Sequence, residues 1–198
     1  MSVCNVWANI LDFFTKEMQL KIIYLFMKSD GECAVEELNR FDEICNSLKI
    51  TEEKKQNIVG YCECLHLKND DNSYAVIQEI DKMWKEKFGE DADYNKIVKK
   101  NQAFVLWTLI NLAYADNEYS EPEKKVISHL IDLWKIESKY VQEMNDTANT
   151  ILALTNQIEW AKKTNRSFDY VNMLIQEYTN NIAFLFDNMN TAISETNI

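Results

Sequence analysis

The stretch INLAYADNEYSEPEKKVISHLIDLWKI, residues 110–136, decides the fold. An apolar run ends at Asp116, and two more acids, Glu118 and Glu121, follow within five residues. Pro122, the single proline of the chain, comes next. A proline is tolerated in the first turn of a helix, where the N–H it lacks would have had no partner. Ser120 and Glu123 stand three apart, the spacing of a capping box. In that motif hydroxyl and carboxylate satisfy each other's backbone N–H groups. The pattern predicts a helix over 121–134, with a second apolar helix ending just before the acids.

The stretch has a counterpart 86 residues earlier, YLFMKSDGECAVEELNRFDEICNSLKI at 24–50. Asp30 falls on Asp116, Glu32 on Glu118 and Glu37 on Glu123. Lys49-Ile50 falls on Lys135-Ile136. The apolar positions follow: Ile23 with Leu109, Phe41 with Ile127, Ile44 with Leu130, Leu48 with Trp134. Each unit reads as apolar helix, Asp-x-Glu turn, helix. Two such units stacked with approximate two-fold symmetry bury both apolar faces together.

The rest of the chain agrees. Its 198 residues are 46% hydrophobic, enough for one cored domain. Only 3 glycines and 1 proline are present, so the turn residues that sheets and flexible linkers need are missing. The expectation is an all-α, pseudo-two-fold bundle of about eight helices in a single domain over 1–198. Its repeat units lie at about 16–67 and 102–163, with a C-terminal helix at about 167–190. A further helix is expected near 3–14. Thr51 is the expected N-cap of a helix over 52–67, and Ser73 of one over 74–88. In the helix at 35–48, Leu38, Phe41, Ile44, Cys45 and Leu48 are expected to face inward.

Several function classes drop out. Gly31, Gly60 and Gly89 lie too far apart to form a phosphate-cradling loop. A net charge of −11 repels nucleic acid and anionic lipid. No window approaches the ~20 apolar residues of a spanning helix. The N-terminus lacks a basic signal region, and five cysteines in no spaced framework suit a reducing cytoplasm. On a helix Cys64 points away from Cys62 and His66, so the three cannot converge on one ion and read as ordinary thiols and a histidine. Ser128, His129 and Asp132 are neighbours in sequence, but about 100° separates the first two around a helix, so they form no nucleophile–base pair.

The acids remain. A helix C-terminus carries partial negative charge, so an aspartate there costs ~0.3–1 kcal/mol. Glu32 or Glu118 adds like-charge repulsion. Two compensations are open. The turn acids can accept N–H groups while Glu37 and Glu123 close the following helix starts. Or the carboxylates can hold a hard cation such as Ca²⁺ or Mg²⁺, although the spacing and central glycine of an EF-hand loop are missing.

LINLAYADNEYSEPEKKVISHLIDLWKI also resembles the characteristic segment of the tellurite-resistance protein B (TerB-like) domain family. In that family a small-residue helix end runs into Ala-Asp-Gly-Glu, then a Ser/Pro-Glu-Glu helix start, then an apolar helix ending in Leu-x-Ile. MKSDGECAVEELNRFDEICNSLKI resembles the first copy of the motif, and the resemblance covers about 16–137. It implies a pseudo-symmetric helical bundle in a bacterial cytoplasmic protein. It also implies an association with tellurite, chemical-stress or phage resistance, with no established catalysis. By position it implies a divalent-metal role for Asp30, Glu32, Glu37, Asp116, Glu118 and Glu123. Two positions depart from the pattern: Asn117 replaces a glycine, and Ala34 stands where the second copy has Ser120, which predicts a looser first site.

The expected function is a non-catalytic domain that binds Ca²⁺ or Mg²⁺ through its paired turns and has a protein partner still to be identified. Within it Glu123 mainly caps its helix, Asp116 and Glu118 are the better ligands, and Asp30 with Glu32 act more weakly. The alternative is a metal-free protein–protein interaction module or homodimer. The last helix carries an apolar stripe, Phe168, Val171, Ile175, Tyr178, Ile182, Leu185 and Met189, which is expected to pack on the bundle. In the alternative it docks a partner helix.

Overall fold

The computed structural model describes residues 16–195 apart from 32, 66, 68–69, 89–95 and 116–118. The helix expected near 3–14 lies outside them, as do Glu32, Asp116, Glu118 and His66. Among the described residues there are eight helices and no strand. They are α1 (residues 16–27), α2 (Val35–Ser47), α3 (Glu52–Glu63), α4 (Ser73–Phe88), α5 (Lys96–Ala113), α6 (Glu121–Trp134), α7 (Ser138–Lys162) and α8 (Phe168–Glu195). The fold is the all-α bundle that the periodicity predicts.

The spacing of 86 recurs in the backbone. Helix α1 ends at 27 and α5 at Ala113; α2 starts at Val35 and α6 at Glu121; α3 starts at Glu52 and α7 at Ser138. The Lys-Ile matches have a backbone cause. Lys49 and Lys135 both take the left-handed conformation, with φ of 56° and 51°. The Lys49 N–H reaches the Asn46 carbonyl at 3.0 Å and the Ile50 N–H reaches that of Cys45 at 3.0 Å. The Lys135 and Ile136 N–H groups reach the carbonyls of Asp132 and Ile131 at 3.3 and 3.1 Å. Both are Schellman stops, which satisfy the last carbonyls of a helix and turn an apolar residue back onto it. Glycine is the usual occupant, and a side chain there costs ~1–2 kcal/mol.

The recurrence extends into the third helix of each unit. Ile58 and Cys62 of α3 match Met144 and Ala148 of α7, and all four are buried. The Lys28–Glu63 ion pair at 3.2 Å matches a hydrogen bond from Asn149 Nδ2 to Tyr114 Oη, also 3.2 Å. One position thus joins the first and third helices by charge in one unit and by neutral groups in the other.

The units differ in how fully the middle helix is covered. Helix α6 buries Glu123, Val126, Ile127, Leu130 and Trp134, whereas α2 buries only Glu37, Phe41 and Cys45. Helix α4 lies against α6, with the Trp84 and Trp134 rings 5.9 Å apart and Asp81 paired to His129 at 2.7 Å. Leu38 is 40% exposed rather than inward-facing, because the buried wedge of α2 is centred on Glu37, Phe41 and Cys45. Thr51 caps α3 as expected, accepting from the Lys54 N–H at 3.4 Å. Ser73 does not cap α4. It lies inside the helix, and Asp71 accepts its N–H at 3.1 Å.

The apolar stripe of α8 divides. Met189 is buried, and Ile182 and Leu185 pack on the core. Phe168 is 76% exposed, while Val171, Ile175 and Tyr178 are half-buried outside the core cluster.

Candidate functional site

Both acidic turns follow the end of a long buried helix. Leu20 and Ile22–Met27 of α1 are buried, as are Leu109, Ile110, Leu112 and Ala113 of α5. Burying a large aliphatic side chain contributes about 1.5–3 kcal/mol, so these helix ends are firmly held. The exits match: the Ser29 N–H reaches the Phe26 carbonyl at 2.9 Å, and that of Ala115 reaches Leu112 at 2.8 Å. Gly31 then takes a positive φ of 97°, a left-handed turn that side chains disfavour.

The first turn is anchored from outside its own unit's helices. Asn72, buried just before α4, donates its backbone N–H to the Ser29 carbonyl at 2.7 Å. Its Nδ2 donates to the Lys28 carbonyl at 3.1 Å. Ser29 is fully buried, and its Oγ has no hydrogen-bond partner among the described residues. Beside it Asp30 is half-buried.

At the helix starts, Glu37 and Glu123 are each 4% exposed. The Ala34 N–H donates to Glu37 Oε2 at 2.8 Å, and the Ser120 N–H donates to Glu123 Oε2 at 2.7 Å. Ser120 Oγ also donates to Glu123 Oε2 at 2.8 Å and accepts the Glu123 N–H at 3.4 Å. The full capping box expected at Ser120 is present. At Ala34 only the glutamate half exists, since a methyl group cannot accept a hydrogen bond. A buried carboxylate is costly unless hydrogen-bonded, and a helix N-terminus supplies both N–H groups and positive potential.

The structure therefore sets Glu37 and Glu123 in equivalent helix-start positions and Asp30 in the turn between α1 and α2. Glu32, Asp116 and Glu118, the other three candidate ligands, lie outside the described residues. Among the described residues no three histidine, cysteine, aspartate or glutamate side chains gather as a metal-holding group. Cysteine is a poor candidate. Burial pushes the Cys62 and Cys33 thiols up to about 12 and Cys45 up to about 11, so none is a ready thiolate. Cys62 and Cys45 are buried and Cys33 half-buried, whereas Cys64, just past the end of α3, is exposed. The donors around the first turn are carboxylate and hydroxyl oxygens, a hard set that fits Ca²⁺ or Mg²⁺ better than a thiophilic metal.

Two contacts were not legible locally. His129 ties α6 to Asp81 of α4 and makes no pair with exposed Ser128. Lys125 ties α6 to Asp71 at 2.6 Å, and with the Ser73 hydrogen bonds it lowers the Asp71 carboxyl to about 2. Each joins groups roughly fifty residues apart in sequence, beyond the reach of any spacing rule.

No helix among the described residues is long and apolar enough to cross a membrane. No curated protein and no solved structure matches the chain. Residues 20–146 match the family model described as tellurite resistance protein TerB. That span takes in both acidic turns, most of α1 and all of α2 and α3, but stops within α7, leaving the α7–α8 hairpin largely beyond it. With well over half of its length matched, the chain belongs to the TerB family of tellurite-resistance proteins.

Proposed function

We propose that this chain is a non-catalytic, cytoplasmic TerB domain that binds a divalent cation, Ca²⁺ or Mg²⁺, through its Asp-x-Glu turns in a tellurite or chemical-stress response. One observation carries the reading. In both units a buried glutamate already serves the helix start, so capping does not require the turn acids. Asp30 with Glu32, and Asp116 with Glu118, are then the carboxylates whose mutual repulsion a cation would relieve. The buried Ser29 Oγ beside Asp30 adds a hard oxygen to the first turn. A bound cation would supply charge neutralisation and fix the turn between two helices, which is a signalling rather than a chemical role.

Titration calorimetry tests this directly. The parent protein should take up Ca²⁺ or Mg²⁺, and a variant carrying Asp116→Asn and Glu118→Gln should lose most of that heat. An athermal titration with Ca²⁺, Mg²⁺, Mn²⁺ and Zn²⁺, unaccompanied by any melting shift, removes the cation reading.

The metal-free interaction module is the second reading, and the apolar surface of the α7–α8 hairpin favours it. Four of the large apolar side chains exposed among the described residues, Trp160, Phe168, Met173 and Phe184, lie on those two helices.

A further inference from the structure

The α7–α8 hairpin outgrows the body it packs on. At its base it is part of the bundle. Met144, Ala148 and Ile151 of α7 are buried, and the Phe186 ring of α8 lies 5.7 Å from that of Trp107 in α5. Lys100 near the start of α5 donates to the Ser194 carbonyl at the end of α8. Helices α8 and α5 therefore run antiparallel, while α7 passes the end of α5 at the Asn149–Tyr114 contact. Beyond that contact α7 continues to Lys162, about 20 Å at 1.5 Å per residue. Between Ile151 and Met189 only Ala161 is buried.

Among the described residues this outer arm has an apolar seam without a third layer. Leu154, Ile158, Leu174, Ile175 and Tyr178 are half-buried and lie outside the core cluster. Two helices cover only the line between them. Bundles of four close such a seam from both sides.

Charge indicates what completes it. The tip carries Lys162, Lys163 and Arg166, all exposed, in a chain of net charge −11. Lys162 pairs with Glu159 at 2.6 Å, and the Arg166 guanidinium lies 4.9 Å from the Tyr170 ring and 5.8 Å from that of Trp160. The base of the same hairpin carries exposed Glu143, Asp146 and Asp187. Parallel pairing of two arms would bring the basic tips together. Antiparallel pairing places each basic tip beside the acidic base of the other copy.

We propose that the α7–α8 arm is a dimerisation element: two copies pair their arms antiparallel into a four-helix bundle, with each Lys162–Lys163–Arg166 tip against the other's acidic base. This rests on reading the α7–α8 hairpin as an interaction surface and holds whether or not the turns bind a cation. The test is sedimentation equilibrium of the full chain with a chelator present, from micromolar to submillimolar concentration. The parent should reach twice the chain mass, with dimerisation roughly tenfold weaker in high salt. Reversing the tip charges, K162E with K163E and R166E, should leave a monomer that melts with the parent at concentrations where the parent is itself monomeric. Adding D146K and D187K to that variant should restore the dimer. A parent that is monomeric at every concentration overturns the proposal, as does a dimer that survives the tip reversal. Because these surface changes avoid the seam and the turns, a failed dimer test leaves the calorimetric cation test unaffected.

Discussion

The helix starts at Ala34 and Ser120 stand 86 residues apart and differ by one hydroxyl. Both keep a buried glutamate on the N-cap N–H, at 2.8 and 2.7 Å. The shared part is thus the carboxylate, and the serine is an addition. The missing hydroxyl does not leave the first turn untied. Asn72 holds it by two hydrogen bonds from the linker before α4. The first turn is thus anchored from a neighbouring loop, whereas the helix start at Ser120 has its own capping hydroxyl. The second difference is cover. Helix α4 lies on α6, and at the position where α6 buries Trp134, α2 has a half-buried Leu48.

That difference in cover predicts the largest effect. Trp134→Ala should cost about 3–5 kcal/mol, since it opens a cavity between α4 and α6. Leu48→Ala at the matching position should cost clearly less, because water already reaches it. Urea denaturation of both variants reads the contrast, and equal losses would show that the two units are covered alike.

The anchors come next. Asn72→Ala removes the Nδ2 bond to the Lys28 carbonyl and should cost about 1–3 kcal/mol, the range for a buried acceptor left without its partner. Ser120→Ala should cost ~0.5–2 kcal/mol, and Ala34→Ser should return up to a similar amount by completing the first box. A Ser120→Ala variant that melts with the parent would mean that Glu123 alone holds that helix start.

The sequence foretold those features whose cause is local. Ser120 with Glu123, and Thr51, each lie within one turn of chain, where spacing and side-chain chemistry decide the outcome, whereas the Lys-Ile pairs were legible only as matched residues and not as helix stops. The 86-residue repeat was legible because it is carried by the core stripe and the turn acids together. The expected units, about 16–67 and 102–163, reach into α3 and α7, where the matched residues are unlike, such as Cys62 and Ala148. Leu38 satisfies the helical spacing of the buried stripe yet points outward. Periodicity shows that a face is apolar but not how wide a neighbour will cover it. Ser73 has the chemistry of a cap, but Asp71 and Asn72 begin the turn sooner. The apolar stripe of α8 was read as one surface, whereas its length exceeds the body available to cover it. Of the six candidate ligands, structural roles are now assigned to Glu37 and Glu123, and both belong to helix starts.

On the cation reading, the turn acids answer to a cation while the helix-start glutamates answer to the fold. Thermal melting in Ca²⁺ or Mg²⁺ against chelator, for the parent and for matched turn variants, tests it most directly. A ligand at a hundred times its dissociation constant stabilises the native state by about 2.7 kcal/mol, a shift of several degrees. Asp116→Asn should melt with the parent in chelator yet lose most of the cation-induced rise, and Asp30→Asn should lose a smaller part of it. A parent whose melting temperature is the same with and without every cation, or an Asp116→Asn variant that keeps the full rise, would contradict the account.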